Sequence, residues 1–215
     1  TEELTAHAQQ RVETAFELRR ALEQNELRVH YQPVHDLKTS RLVGVEALVR
    51  WQHPQRGLVS PAEFIPIAER TGLIAEIDTW VLRQACRQMV QWQREGRQLA
   101  FVAVNISSRL FGQHELYRQV SEVLHETGLA PGLLELEVTE SAVMEDPEVA
   151  LEQLHRLREL GVTLAIDDFG TGYSSLLRLK RLPVQKLKID QGFVAGLPFD
   201  DDDIAIVRVI IALAR

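Results

Sequence analysis

Oxygen-bearing side chains recur at or near the ends of successive strand-like runs of the chain. Strand ends of a chain that alternates strands and helices can meet on one face of the fold, where residues distant in sequence become neighbours. Converging oxygen ligands suit a hard cation such as Mg²⁺ or Mn²⁺. The sequence therefore predicts a divalent-metal site, whose candidate residues are Glu46, Asn105, Glu137, Asp167, Asp168 and, following them, Lys188.

The strongest part of this pattern is the pair Asp167 and Asp168, which follows the apolar run VTLAI. Adjacent carboxylates repel each other unless a cation lies between them. One aspartate at a strand end could equally cap a helix, but two of them before Gly170 and Gly172 favour metal ligands. The glycines lack the Lys and Ser/Thr of a phosphate-binding P-loop, so a plain turn is their expected role.

The other candidates each have an alternative interpretation. Glu46 lies inside a strand-like run, where an inward carboxylate is costly unless it is paired or metal-bound, whereas an outward one would be solvated. Asn105 follows FVAV and could instead cap the next helix. Glu135 and Glu137 face the same side of the run LLELEV, and the spacing does not decide between them and Glu140.

A regular alternation of strands and helices is predicted to position these residues. Strands separated by single helices favour a parallel sheet, in either a barrel or an open doubly wound sheet. The first two strands are joined by the short turn HDLKTSR and should be antiparallel, because a parallel pair needs a longer crossover. The predicted strands cover residues 27–34, 41–51, 100–106, 133–138, 162–167 and 184–189.

Seven helical runs complete this pattern. The first has an apolar face of Val12, Ala15, Phe16 and Leu22 and is predicted to lead in from another segment. The expected organisation is a connector helix over residues 1–25 and one domain over residues 26–215, since 215 residues suit one domain better than two. The predicted helices cover residues 11–25, 61–70, 74–96, 116–126, 147–161, 174–180 and 204–215.

Composition limits the possible functions and the compartment. The formal net charge of −7 argues against binding a nucleic-acid polymer, which needs clustered Lys and Arg. Cys86 is the single cysteine, so there is no disulfide framework and a reducing, cytoplasmic location is expected. The residues leave open whether a longer parent protein is anchored to a membrane through other domains.

Five motifs in order resemble the EAL domain family, whose members are cyclic di-GMP-specific phosphodiesterases and their relatives. The resemblance begins at YQP, residues 31–33, and covers nearly all of the chain that follows. It implies an α/β fold, a (βα)₈ TIM-like barrel with an antiparallel first strand. The motifs are EALVR at 46–50, NIS at 105–107, ELEVTES at 135–141, DDFGTGYSSL at 167–176 and KLKID at 186–190.

The resemblance also implies roles for individual residues in a two-metal site for Mg²⁺ or Mn²⁺. Four residues match the ligands of one ion, and Asp167 and Asp168 match contributors to the second. Lys188 matches the catalytic lysine, which would hold the attacking water or the charged phosphate. The matched ligands of the first ion are Glu46, Asn105, Glu137 and Asp167.

Four further positions match binding or supporting residues of the family. Gln32, Leu48 and Arg50 resemble ligand-contacting positions, and Arg50 suits a phosphate or a guanine edge. Glu140 resembles the glutamate that steadies the loop after the paired aspartates. The implied reaction is hydrolysis of cyclic di-GMP to linear pGpG.

The sequence departs from the family pattern near its end. The family's later strands carry AEGVE-like and QGY-like motifs, and neither occurs in these residues. About six strands are found, whereas a closed barrel of this type has eight. We therefore expect a C-terminally truncated barrel with uncertain activity of its own, and a non-catalytic cyclic di-GMP receptor is the alternative function.

Partners are implied by the same resemblance. The segment after Asp168 often forms a dimer contact in the family, so a homodimer is expected. The leading helix resembles the connector that often follows a GGDEF domain, and the parent protein is expected to carry an adjacent GGDEF or sensory domain.

Overall fold

The computed structural model of the chain describes residues 2–111, 115–171 and 181–214, with side chains described from residue 13 onward. Its strands are β1 (Leu27–His35), β2 (Leu42–His53), β3 (Gly57–Val59), β4 (Phe101–Ile106), β5 (Leu134–Thr139), β6 (Thr163–Phe169) and β7 (Lys186–Ile189). Its helices are α1 (Glu2–Glu23), α2 (Pro61–Thr71), α3 (Ile74–Arg94), α4 (Ser108–Phe111), α5 (Leu116–Thr127), α6 (Glu140–Glu145), α7 (Pro147–Leu160), α8 (Gln191–Ala195) and α9 (Asp201–Leu213).

One sheet runs through the molecule in the order β1-β2-β4-β5-β6-β7, and β3 pairs with the far end of β2. Every pair from β2 to β7 along this path is parallel, whereas β1 and β2 are antiparallel. The predicted α/β fold with an antiparallel first strand is therefore confirmed. The short elements β3, α4, α6 and α8 were not predicted, and the predicted helix at 174–180 lies outside the described residues.

The central strands have one apolar face that packs into the core, and they carry the polar side chains Asn105, Glu135 and Glu137 on the other face. Val102 and Val104 of β4 and Leu134 and Leu136 of β5 are fully buried and belong to one continuous hydrophobic core. Fully burying such a side chain stabilises the fold by about 1.5–3 kcal/mol. Because these strands are packed into the core, the carboxyl ends of neighbouring strands are held in a fixed arrangement.

Helix α7 shows the local signals that set the helix boundaries. It begins at Pro147 after Asp146, whose Oδ1 accepts a hydrogen bond from the backbone N–H of Val149 at 3.3 Å. It ends before Gly161, whose φ of 96° is a left-handed conformation that favours glycine. Both ends were predicted from these residues.

The buried face of helix α1 only partly overlaps the predicted apolar face. Leu18 and Ala21 are fully buried and Thr14 is buried, whereas Phe16 is 75% exposed. The buried residues follow the spacing i, i+4 and i+7, which is the stripe that a helix packed on one side presents. Of the apolar face predicted from the sequence, Leu22 packs against the core and Phe16 does not, because packing selected a stripe that includes the small hydroxyl side chain of Thr14.

None of the helices in the described part of the chain is long and apolar enough to cross a membrane.

Candidate functional site

Three carboxylates meet at the carboxyl ends of the parallel strands. Glu46 of β2, Glu137 of β5 and Asp167 of β6 each offer one oxygen, and these oxygens lie within 4.8 Å of one another. Asn105 is the register partner of Glu137, and its strand β4 lies between β2 and β5. The structure thus brings together residues that are up to 121 positions apart in the sequence, from Glu46 to Asp167.

Lys188 of β7 contacts all three carboxylates. Its Nζ donates to Asp167 Oδ2 at 3.0 Å and to Glu46 Oε2 at 3.4 Å, and it also donates to Glu137 Oε2. Charge-assisted hydrogen bonds of this kind are stronger than neutral ones. One ammonium group compensates only part of the negative charge of three carboxylates.

Asn105 is oriented by a neighbouring strand. Its Nδ2 donates to Glu46 Oε1 at 2.7 Å. This bond uses the amide nitrogen, so the carboxamide oxygen is the atom of Asn105 that can act as a metal ligand.

The electrostatics of the cluster follow from its burial. Glu137 is only 3% exposed, and this burial raises its pKa to about 7 although Lys188 opposes the shift. Burial alone would lower the pKa of Lys188, but Glu137, Asp167 and Glu46 together raise it. Lys188 therefore carries its proton, and the acidic groups around it form a site that favours further positive charge.

An irregularity near the end of β6, between Ile166 and Phe169, gives the two adjacent aspartates different positions. Asp168 has a φ of 52°, and its backbone N–H donates to Asp167 Oδ1 at 3.0 Å. Its carboxylate is not one of the three that meet, so the structure places Asp168 beside the cluster. Burial, followed by the charges of Asp167 and Asp190, raises the pKa of Asp168. Asp190 was missed in the sequence, although it ends the motif KLKID.

Glu140 holds the turn at Gly170, directly after β6, through a hydrogen bond. It is buried at the start of α6, and its Oε2 accepts a hydrogen bond from the backbone N–H of Gly170 at 3.0 Å. Gly170 has a φ of 103°, and a Cβ there would lie 2.9 Å from the ring of Phe193 in α8. Glycine at this position lets the turn pack closely while Glu140 satisfies its backbone.

The two other glutamates of LLELEVTES are now distinguished by geometry. Glu135 is also buried, but it pairs with Lys186 two residues before Lys188 on β7. Because the two pairs lie on the same face of the sheet, Glu135 and Lys186 lie one repeat deeper, away from the strand ends. Glu137 is therefore the glutamate of β5 that reaches the cluster.

The antiparallel pair β1–β2 forms a wall beside the cluster. Gln32 is the direct partner of Glu46 across the two strands, so their side chains share a face. Leu48 and Arg50 follow Glu46 at alternate positions of β2 and lie on that same face. All three predicted ligand-contacting residues therefore line one surface next to the carboxylates.

Asp78 of α3 is a supporting residue that the sequence analysis missed. It is 7% exposed, and its Oδ2 accepts a hydrogen bond from the backbone N–H of Ser107 at 2.9 Å. This bond fixes the chain two residues after Asn105. Burial raises the pKa of Asp78 to about 6 against the effect of the Ser107 hydrogen bonds. A charged residue on the apolar stripe of Ile77 and Val81 was the available signal.

We expect Asp78→Asn to stabilise the protein at pH 7.5 by about 2–3 kcal/mol, which is the cost of ionising a carboxyl whose pKa is raised from 3.8 to about 6. The folded state holds this proton more tightly than the unfolded state. The contribution of Asp78 to stability is therefore greatest below about pH 4 and declines as the pH rises to about 6. Urea unfolding of both proteins from pH 4 to 8 measures the difference.

The asparagine oxygen can still accept from Ser107, whereas Asp78→Leu leaves that buried N–H unsatisfied at a cost of about 1–3 kcal/mol. The leucine variant is thus the matched control. Parallel pH profiles for wild type and Asp78→Asn would contradict the prediction.

The residues present fit a hard divalent cation. Three carboxylates within 4.8 Å and one carboxamide oxygen are the donor set that Mg²⁺ and Mn²⁺ prefer. Glu137 is buried at a position where its negative charge is only partly compensated by Lys188. A divalent ion at this cluster would supply the missing positive charge.

Sequence comparison finds similar proteins that are much longer. The family profile described as "EAL domain" matches residues 15–215. The bifunctional diguanylate cyclase/cyclic di-GMP phosphodiesterase MucR of Pseudomonas aeruginosa is 49% identical over 212 residues, which are 99% of this chain and 31% of MucR. The cyclic di-GMP phosphodiesterase NbdA of the same species is 45% identical over 213 residues, 99% of this chain and 27% of NbdA. The chain thus spans about a third or less of the length of these relatives.

Solved structures show the same architecture. The structure described as PaMucR phosphodiesterase in a c-di-GMP complex has a TM-score of 0.91 and 49% identity, covering 94% of this chain and 82% of that one. The FimX EAL domain of Xanthomonas citri, solved in complex with c-diGMP, has a TM-score of 0.84 and 28% identity, covering 96% of this chain and 80% of that one. These similarities extend over the sheet and helices that position the acidic cluster.

Proposed function

The chain belongs to the EAL domain family, and we propose that it is a metal-dependent phosphodiesterase that hydrolyses cyclic di-GMP to linear pGpG. The observation that carries this proposal is the meeting of Glu46, Glu137 and Asp167 within 4.8 Å of one another, beside Asn105 and Lys188. Both named relatives are cyclic di-GMP phosphodiesterases.

The proposed metal is Mg²⁺ or Mn²⁺ in a two-metal site. Glu46, Asn105, Glu137 and Asp167 would hold the first ion, and Asp167 and Asp168 would contribute to the second. Bound ions of this kind lower the pKa of a water molecule and neutralise charge on the phosphate.

The chain's own groups would bind and orient the substrate. Lys188 donates to Glu46, Glu137 and Asp167, and once a cation compensates these carboxylates one of its three N–H groups would be able to turn to a phosphate oxygen or the attacking water. Gln32, Leu48 and Arg50 would contact the substrate along the β1–β2 wall. Glu140 would keep the turn at Gly170 in place, and with it the position of Asp168.

The alternative proposal is a receptor that binds cyclic di-GMP without cleaving it. The convergence of Glu46, Glu137 and Asp167 around Lys188 favours the enzyme, because binding alone does not require three carboxylates around one lysine.

The test is hydrolysis of cyclic di-GMP by the chain, and by the longest protein that carries it, with Mn²⁺, with Mg²⁺ and with EDTA. We expect linear pGpG with either metal and none with EDTA, measured by chromatography of the nucleotides. Tight binding without turnover in both proteins and with both metals would support the receptor. Neither binding nor turnover would contradict both proposals.

We also propose a homodimer formed through the segment after Asp168, and an adjacent GGDEF or sensory domain in a longer parent protein. The name of MucR, a bifunctional diguanylate cyclase and phosphodiesterase, supports the second proposal. The proposed location of the domain is cytoplasmic, as expected for a chain with one buried, unpaired cysteine. Light scattering at high concentration tests the dimer, and a monomeric mass would contradict it.

A further inference from the structure

A groove with an apolar lining lies between helices α1 and α2. It has a volume of about 340 Å³, and Ala15, Ile67 and Leu73 contribute to its lining. Phe16 also lines this α1–α2 groove, although its side chain is 75% exposed. A mostly apolar cavity of this size lies within the range in which proteins bind ligands and side chains of partners.

Two arginines give the α1–α2 groove a positive charge. Arg19 of α1 and Arg70 of α2 both line the groove, and both are exposed. Nη2 of Arg19 lies 4.0 Å from Glu76 Oε1, and within residues 2–111, 115–171 and 181–214 Arg70 forms no ion pair. The groove is therefore both apolar and cationic, although the whole chain has a formal net charge of −7.

The complementary feature is the acidic turn at residues 199–203, between α8 and the first turn of α9. Phe199 is 93% exposed and is followed by four aspartates at residues 200–203. In the part of the chain that the structure describes, none of these aspartates forms an ion pair. Phe16 and Phe199 are the two exposed phenylalanines of the chain, and one lies in a cationic groove while the other lies beside an acidic run.

The acidic turn has an ordered conformation. The backbone N–H groups of Phe199 and Asp200 donate to the carbonyl oxygen of Gly196 at 2.9 and 3.0 Å. Asp200 Oδ1 in turn accepts hydrogen bonds from the backbone N–H groups of Asp202 and Asp203 at the start of α9. A segment that is ordered before it binds loses little conformational entropy on binding.

We propose that the acidic turn of one copy of the chain docks into the α1–α2 groove of a second copy. Phe199 packs against Phe16 in this contact, and the aspartates pair with Arg19 and Arg70. The contact is intermolecular, because a Phe199 that is 93% exposed does not fill the groove of its own chain. The groove and the turn are distinct from the segment after Asp168, and the inference does not depend on the proposed function.

The contact joins two different surfaces and is therefore heterologous. A two-fold arrangement that uses both contacts closes a dimer, whereas any other arrangement continues to rings or chains. Both surfaces are small, so we expect weak association that increases with protein concentration.

Sedimentation velocity of the chain at concentrations up to about 1 mM tests this contact, because small interfaces associate weakly. We expect Phe199→Ser to weaken association at least about tenfold, since an aromatic anchor is lost. Arg70→Glu should weaken it by a similar factor, because it brings like charges together. A mixture of Arg70→Glu with Asp201→Arg should regain association, since the reversed groove of the first variant meets the reversed turn of the second.

The matched control is Leu37→Ser, which removes a side chain that is 98% exposed in the turn between β1 and β2. It should associate as strongly as wild type. Equal association of Phe199→Ser and wild type, with both folded by circular dichroism, would overturn the inference, and any dimer that remained would belong to the interface after Asp168. A mixture that associates no more strongly than Arg70→Glu alone would also overturn the pairing of groove and turn. A wild type that stays monomeric at every concentration would overturn it too, and would leave an acidic segment of a different protein as the occupant of the groove.

Discussion

Asp167→Asn is expected to reduce hydrolysis of cyclic di-GMP by at least about three orders of magnitude, because stabilisation by a metal ion amounts to several kcal/mol. Asp167 is one of the three converging carboxylates and the proposed ligand of both ions. Asparagine has the same shape, but it offers one neutral oxygen and cannot bridge two cations. The rate of pGpG formation with saturating Mn²⁺ measures the loss.

The same variant should bind Mn²⁺ more weakly, which a titration followed by calorimetry measures independently of activity. Asp146→Asn is the matched control, since Asp146 caps α7 away from the cluster and asparagine is an equally good cap. Wild-type turnover by Asp167→Asn would show that the converging carboxylates are not the catalytic site.

The convergence of the acidic residues was accessible from the sequence because strand ends of a β/α chain lie on one face of the fold. Asn105 and Asp167 lie at or near the end of a run that reads as a strand, Glu46 lies inside one, and the structure brings the three together with Lys188. The periodicity of a strand also showed that Glu135 and Glu137 share a face. It did not show which of them lies at the strand end, since that depends on how far β5 extends beside β6 and β7.

Residues that support the site through the backbone were not accessible in the same way. Asp78 lies on a helix 29 residues before Ser107, and only the packing of α3 against the end of β4 brings them together. Asp190 ends a recognised motif, but its effect on Asp168 depends on the irregular pairing between the ends of β6 and β7. Pairings of this kind depend on tertiary packing, which local patterns do not encode.

The same limit explains why the sequence did not predict the buried stripe of α1 or the residue partners across β1 and β2. An amphipathic helix offers more than one possible stripe, and packing chose the one that leaves Phe16 exposed. A hairpin is different, because the register of its two strands decides every partner. The short turn predicted the antiparallel pair, but only the register showed that Arg28 and Arg50 are opposite each other.

Lys188→Met is expected to separate metal binding from catalysis. Removing the ammonium takes a positive charge away from Glu46, Glu137 and Asp167, so Mn²⁺ should bind at least as tightly as in wild type. Turnover should fall about 100- to 1,000-fold, because a donor that stabilises charge on the phosphate is lost. Calorimetric Mn²⁺ titration and the rate of pGpG formation measure the two effects.

Without metal, Lys188→Met should also be less stable at pH 7.5, by about 3 kcal/mol, because buried Glu137 is left without its cation. Lys186→Met is the matched control, since it removes the other lysine of β7 that pairs with a buried glutamate, Glu135. That variant should lose some stability, less because Lys186 is more exposed, while its Mn²⁺ affinity and turnover stay at the wild-type level. If Lys188→Met lost its Mn²⁺ affinity, the role of Lys188 would be to hold the carboxylates together for the metal, and its proposed contact with the phosphate or the attacking water would be wrong.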